Sequence, residues 1–303
     1  MNFKPEQSVN QSINLDPKFN IELFLKREDL IHPIVSGNKY RKLKYNLKEA
    51  KKQRFKTLLT FGGAFSNHIA AVAQAGKEFG FQTIGVIRGE ELINNTEENP
   101  TLKFARQCGM NFKFVPREVY RNKTSKGFLE SLKAEFEDFY LIPEGGTNAL
   151  AIKGCEEILN DSDNEFDYIC CPVGTGGTIS GLINCSKPGQ QVLGFPALKG
   201  SFLNEDIGKF AHKNNWQLIT DYHFGGFAKI NEALISFING FKKEYDISLD
   251  PIYTGKMMFG IFDMINKSHF PKGSKLLAIH TGGLQGIAGM NMKLKAKRLP
   301  LIR

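Results

Sequence analysis

Short runs rich in β-branched and aromatic residues alternate with stretches of helical periodicity along almost the whole 303-residue chain. The patterning predicts strands over 21–25, 57–61, 83–87, 111–115, 140–142, 168–172, 191–195, 217–219 and 275–280. Helical stretches fall between them, over 37–54, 66–79, 100–108, 126–137, 149–160, 178–185, 203–213, 229–243, 255–267 and 284–293. Strands separated by helices cannot close as tight hairpins; they pair in parallel through crossovers. The expected fold class is α/β, with mainly parallel sheets covered on both faces. The length allows two compact domains. No repeat or low-complexity linker marks a boundary. Glycine-rich corners near Ser36-Gly37 and near Pro143-Glu144-Gly145-Gly146 bracket a smaller inserted domain, 40–145. The larger domain is then discontinuous, 1–39 with 146–303.

Composition narrows the class further. Hydrophobic residues make up 41% and charged residues 23%, the balance of a soluble globular protein. No stretch approaches the ~20 apolar residues of a membrane span, and the first residues lack the apolar core of a secretion signal. The cysteines, Cys108, Cys155, Cys170, Cys171 and Cys185, are odd in number and scattered. Adjacent Cys170 and Cys171 should point to opposite faces of a strand, out of disulfide geometry. A reducing compartment, the cytoplasm, is expected, and no metal site, since neither C-x-x-C nor zinc-ligand spacing occurs. The net charge of +9 is concentrated on a helix face (Lys42, Lys44, Lys48, Lys51, Lys52, Arg54, Lys56) and in the tail, which reads as solvated surface. Neither a nucleic-acid motif nor interleaved aromatics accompany it. A basic surface does draw in anionic small substrates.

Two segments carry the chemistry. Ser36-Gly37-Asn38-Lys39 opens a lysine-rich helix, and a helix N-terminus disfavours the charged form of a lysine placed there. Arg41, Lys42 and Lys44 would lower its pKa further if they stand near. A neutral amine can attack a carbonyl. Far downstream, Gly174-Thr175-Gly176-Gly177-Thr178 joins an apolar strand to a helix, the arrangement that holds a phosphate on backbone N–H groups. Neither the Walker pattern nor G-x-G-x-x-G is satisfied, because Ile179 stands where the last glycine belongs. An imine-forming lysine with a phosphate cradle points to pyridoxal phosphate, which carries both an aldehyde and a phosphate. Gly62-Gly63-Ala64-Phe65-Ser66-Asn67-His68 adds a second capped turn suited to a carboxylate, with Ser66 as N-cap. Tyr253 at a helix entry and Thr281 at the end of a strand are, taken singly, ordinary packing and turn residues.

Taken together and in order, these segments resemble one family. Leu23-Phe24-Leu25-Lys26-Arg27-Glu28-Asp29, the Ser36–Lys39 turn, the Gly62–His68 turn, Pro143-Glu144-Gly145-Gly146, Gly174–Thr178, Asp250-Pro251-Ile252-Tyr253-Thr254-Gly255-Lys256 and His280-Thr281-Gly282-Gly283 are similar to fold-type II pyridoxal-phosphate enzymes. The match is to the 1-aminocyclopropane-1-carboxylate deaminase and D-cysteine desulfhydrase group, related to the tryptophan synthase β subunit. The resemblance implies two three-layer α/β domains with the cofactor between them, and a homodimer. It makes Lys39 the Schiff-base lysine, Asn67 a contact of the cofactor ring hydroxyl, and Gly174, Thr175, Gly176, Gly177 and Thr178 the phosphate cup. Ser66, Asn67 and His68 would receive the substrate carboxylate, with Ser66 near the reacting carbon, and Tyr253 would stack near cofactor and substrate.

The resemblance also bears on the reaction. Where the deaminase branch has Glu after the active-site tyrosine and Leu before the last Gly-Gly, this chain has Thr254 and Thr281, as in the desulfhydrase branch. A neutral hydroxyl beside the ring nitrogen gives a weaker electron sink than a carboxylate. Such a sink suits loss of a β-thiol better than opening of a cyclopropane. The resemblance therefore implies β-elimination from a small amino acid, giving pyruvate, ammonia and sulfide. The alternatives are the deaminase reaction on the same scaffold, a cofactor-binding homologue with lost or altered catalysis, and a nucleotide-binding protein. Phe227, in Gly225-Gly226-Phe227-Ala228-Lys229, stands where relatives carry a second substrate-binding tyrosine and lacks its hydroxyl.

Overall fold

The computed structural model describes residues 4–200 and 202–303. It contains two sheets. Strands β1 (Asn10–Ile13), β2 (Glu22–Lys26), β3 (Thr57–Gly62), β4 (Gln82–Arg88) and β5 (Met110–Val115) are followed by β6 (Tyr140–Ile142), β7 (Tyr168–Val173), β8 (Gln191–Pro196), β9 (Trp216–Leu218) and β10 (Lys275–Ile279). One six-stranded sheet runs β1-β2-β10-β7-β8-β9, and a four-stranded sheet runs β5-β4-β3-β6. Every pairing is parallel except β1 with β2.

Alternating side chains along each central strand feed two different cores, which is why these runs are apolar throughout. In β10, Leu276 and Ala278 join the core beneath helices Glu232–Tyr245 and Thr254–Asn266, whereas Leu277 and Ile279 join that beneath helix Gly177–Cys185. In the smaller sheet Leu58 and Ile87 face helices Asn38–Lys52 and Asn67–Phe79, while Leu59, Phe61 and Val86 face Leu132 of helix Lys126–Phe136. Each fully buried residue of this size contributes about 1.5–3 kcal/mol. Cys170 and Cys171 do lie on opposite faces, and all five cysteines are free thiols.

The sequence pattern misses or misjudges several element ends. Strand β1, Asn-Gln-Ser-Ile, has no apolar alternation; it is an antiparallel edge strand whose Asn10 lies opposite Lys26. The Lys26 ammonium is buried and bonds both Asp163, at 2.8 Å, and Asn10, at 3.2 Å. The helix expected over 149–160 stops at Cys155, because Asn160 caps a separate turn, Asp161–Asp163. That expected over 203–213 spans only Phe202–Gly208. That expected from 229 starts at Glu232, where the Asn231 side chain accepts from Leu234 N.

Helices following β7 and β10, neighbours in the sheet, lie on opposite faces: Ile179 and Leu182 belong to one core, Met290 and Leu294 to the other. The chain thus diverges at the C-terminal ends of β7 and β10. This is the crevice where open α/β sheets hold ligands.

Candidate functional site

A cavity of about 650 Å³ opens at that crevice. It is lined by the turns after β3, β7 and β10 together with the start of helix Asn38–Lys52. Of the residues singled out from sequence, Lys39, Ser66, Asn67, His68, Gly174, Thr175, Gly176, Thr178, Phe227, Tyr253 and Thr281 line it.

Lys39 reaches the cavity because two backbone turns interlock. Gly37 precedes the helix with φ +57°, and a Cβ there would stand 2.2 Å from the Thr281 carbonyl oxygen. Only glycine allows this contact. Thr281 and Lys39 are thereby held at one wall. Lys39 Nζ donates to Asn38 Oδ1 at 3.2 Å, and Asn38 Nδ2 donates to Thr178 Oγ at 2.9 Å, which ties the amine to the glycine-rich turn. The Lys39 amine is lowered from 10.5 to about 7, first by burial and then by the charge of Lys42, against opposing pulls from Cys155 and Asp250. The expected help from Arg41 and Lys44 does not arise. Arg41 is held by Glu28 at 2.7 and 2.8 Å, and Lys44 is paired with Glu157.

Lys42 is itself a correction, since it was grouped with the solvated lysines. It is 2% exposed, and its Nζ donates to Gly145 O at 3.0 Å, Thr147 Oγ at 3.1 Å and Thr175 Oγ at 3.4 Å. No carboxylate pairs it among the described residues, and burial lowers its pKa. A buried ammonium with only neutral partners is costly. Helix Gly177–Cys185 begins from Gly176 at φ +81° and has no side-chain cap, so its first N–H groups are left to a ligand. A Cβ on Gly177 would meet Thr147 at 2.7 Å and Lys42 Nζ at 3.1 Å, although Gly177 does not itself line the cavity. An uncapped helix start facing an unpaired ammonium fits a phosphate dianion. Sequence reasoning missed Lys42 as a ligand, though its spacing from Lys39 places both on one helix face.

Ser66 caps helix Asn67–Phe79, its Oγ accepting from Ile69 N at 3.3 Å. Asn67 lies against the final turn: a Cβ on Gly283 would stand 2.7 Å from Asn67 Nδ2. His68 is buried. Thr60 Oγ donates to Ile142 O at 2.8 Å, so it accepts from His68 Nε2–H, also at 2.8 Å. That leaves Nδ1 as an unprotonated acceptor without a partner. Burial, then Lys39 and Lys42, hold this imidazole well below the usual histidine range.

Tyr253 stands beside Gly174, whose Cβ would be 3.1 Å from the ring, and burial raises its phenol well above the usual range. The Phe227 ring meets it edge-on, centroids 6.3 Å apart. Thr254 lies elsewhere than expected. It is fully buried and does not line the cavity: its Oγ donates to Asp250 Oδ2 and accepts from Asp250 N, both at 2.9 Å. Asp250, also missed, accepts from the backbone N–H groups of Ile252, Tyr253 and Thr254, and so fixes the turn that presents Tyr253.

Comparison with known proteins agrees with this geometry. Residues 7–282 match the family model described as pyridoxal-phosphate dependent enzyme. The bifunctional D-cysteine desulfhydrase/1-aminocyclopropane-1-carboxylate deaminase of Arabidopsis thaliana is 31% identical over 88% of this chain and 73% of its own length. The 1-aminocyclopropane-1-carboxylate deaminase of Rhizobium rhizogenes is 28% identical, covering 89% of each. Among solved structures, that of an ACC deaminase homologue superposes with a TM-score of 0.81 at 27% identity, over 96% of this chain and 93% of the other. No helix among the described residues is long and apolar enough to cross a membrane. With a low-pKa lysine at one wall of the cavity and an anion cup at another, and with the family model spanning nearly the whole sequence, the chain belongs to the pyridoxal-phosphate dependent enzymes of fold type II.

Proposed function

We propose that the protein eliminates a β-substituent from a small amino acid, in the manner of a D-cysteine desulfhydrase. The observation that carries this reading is Lys39, held near neutrality at pH 7 on the wall of a cavity that also contains the phosphate cup. Lys39 would hold the cofactor covalently, with Gly174 to Thr178 and Lys42 on its phosphate and Asn67 and Thr281 beside its ring. Bound pyridoxal phosphate supplies the electron sink for charge developing at the substrate Cα.

The protein's own groups do the rest. The start of helix Asn67–Phe79, with Ser66, Asn67 and His68, binds the substrate carboxylate through backbone N–H groups. Lys39, released when the substrate amine takes its place, accepts the Cα proton, a role matched to a pKa near the working pH. The β-substituent leaves with its bonding electrons. Aminoacrylate, once released, hydrolyses to pyruvate and ammonia. Phe227 and Tyr253 close one side of the cavity against water.

The relatives' names include both reactions of the group, so the deaminase reaction is the second reading. β-Elimination is favoured because the only carboxylate lining the cavity among the described residues is Glu144, which is ion-paired to Lys123 at 3.0 Å. No free acid is offered to strengthen the electron sink. Pyruvate assays run in parallel with D-cysteine and with the cyclopropane amino acid test the choice. Pyruvate from D-cysteine alone is expected; pyruvate from the cyclopropane substrate alone reverses the assignment; bound cofactor with neither reaction identifies a homologue that has lost catalysis. We further propose a cytoplasmic homodimer, which the free thiols and the relatives support. The smaller domain is placed at 40–145, a reading supported by a four-stranded sheet drawn entirely from 57–142.

A further inference from the structure

The cavity carries more positive charge than a cofactor phosphate and one substrate carboxylate require. Beyond Lys39 and Lys42 it is lined by Arg88, Arg117 and Lys293, against the single carboxylate of Glu144. Arg117 is engaged by Glu91, Nη2 to Oε1 2.6 Å. Arg88 and Lys293 have no carboxylate partner among the described residues. Both border the same loop, the one that leads into the proposed carboxylate site. Arg88 Nη2 lies 3.5 Å from where a Cβ on Gly63 would stand, and Lys293 Nζ lies 4.9 Å over the Phe65 ring. Arg88 is the last residue of β4, next to β3 in the sheet, so its guanidinium sits at the C-terminal strand edge where α/β ligands bind. Its position is braced by the Tyr120 ring, 5.8 Å from Cζ. A planar guanidinium suits a carboxylate or phosphate gripped by two oxygens.

Resting on the β-elimination reading, we propose that Arg88, assisted by Lys293, is a second anion subsite, and that the substrate is an α-amino acid whose side chain carries its own anionic group. An ester of serine with phosphate or sulfate has the right chemistry. The Cα proton passes to Lys39, the Cβ–O bond breaks with its electrons going to the departing phosphate or sulfate, and aminoacrylate hydrolyses to pyruvate and ammonia. The exposed Phe227 ring, without a hydroxyl, offers such a side chain nothing, which leaves orientation to the cations.

The test compares ligands that differ only in the second charge, on the protein with its cofactor bound. Calorimetric titration with alanine and aspartate, each as both enantiomers, reads binding without β-elimination. Pyruvate release from β-chloroalanine and from O-phosphoserine reads turnover. Aspartate of one enantiomer is expected to bind on the order of tenfold or more tightly than alanine, as a charge-assisted contact implies. Arg88→Gln should erase that ratio and lower the preference for O-phosphoserine over β-chloroalanine by a similar factor, with Lys293→Gln acting more weakly. Equal binding of alanine and aspartate by the unmodified protein overturns the proposal. Equal weakening of both by Arg88→Gln also overturns it, since Arg88 would then serve the α-carboxylate. If alanine and aspartate both fail to bind and β-chloroalanine yields no pyruvate, the β-elimination reading itself fails and takes the proposal with it. Pyruvate from β-chloroalanine alone leaves that reading intact and sinks only the second subsite.

Discussion

Lys42 follows Lys39 by one turn of the same helix, and its buried ammonium is the nearest charge acting on the Lys39 amine. The two lysines divide the work of one site. The first is kept largely uncharged, ready for a carbonyl; the second stays in position for a phosphate and, by its charge, helps keep the first neutral.

That coupling sets a pH dependence. In cofactor-free protein, acetylation of Lys39 by a small neutral anhydride should rise with a midpoint near its pKa of about 7. Lys42→Met removes a repelling cation, so the midpoint should move upward. Peptide mass spectrometry, with an exposed lysine as internal reference, reads it. A midpoint unmoved by Lys42→Met contradicts the coupling. The same shift has a stability consequence. Between about 7 and 10.5 the unfolded chain holds more of the Lys39 proton than the folded one. The cofactor-free protein should therefore gain stability from this group as pH rises through that window, and the penalty is fully present below it.

Lys42→Met should weaken cofactor binding about 10- to 100-fold, the loss of a charge-assisted hydrogen bond of about 1.5–3 kcal/mol. The melting temperature of the cofactor-free variant should not fall, because an unpaired buried ammonium has been replaced by an apolar chain. Cofactor titration and thermal melts of both forms check it. A large loss of stability without cofactor would show that Lys42 is structural.

Gly37→Ala should cost about 2–5 kcal/mol in urea unfolding, combining a left-handed backbone with overlap onto the Thr281 carbonyl. Cofactor capture should fall with it, since the same turn aims Lys39. A neutral effect would mean that the two turns do not interlock.

Much of this architecture is legible in the sequence, and the exceptions share a cause. The strands of both sheets except β1 show as apolar runs because both of their faces are buried. Strand β1 escapes because it is held at a sheet edge by a polar network around Lys26 and Asp163, which leaves no hydrophobic period. Glycine-rich turns reveal the cup and the Lys39 entry, since close backbone approach demands glycine. The partners of charged side chains stay hidden: nothing local separates the buried Lys42 from the paired Lys44, or shows that Asp250 claims the Thr254 hydroxyl.

Thr254 offers a direct check of that last point. Thr254→Val leaves Asp250 without two hydrogen bonds and should destabilise the fold by about 1–3 kcal/mol. The visible spectrum of the bound cofactor should stay unchanged, because the hydroxyl faces Asp250 and not the cavity. A shifted absorbance maximum with unaltered stability would place that hydroxyl on the cofactor ring instead.

The most direct test of the account is to reduce the cofactor-loaded protein with borohydride, digest it and locate the pyridoxyl group by mass spectrometry. The account predicts the group on Lys39 and on no other lysine, with both the label and pyruvate formation abolished in Lys39→Ala. A label on Lys42 or elsewhere, or turnover that survives in Lys39→Ala, would contradict it.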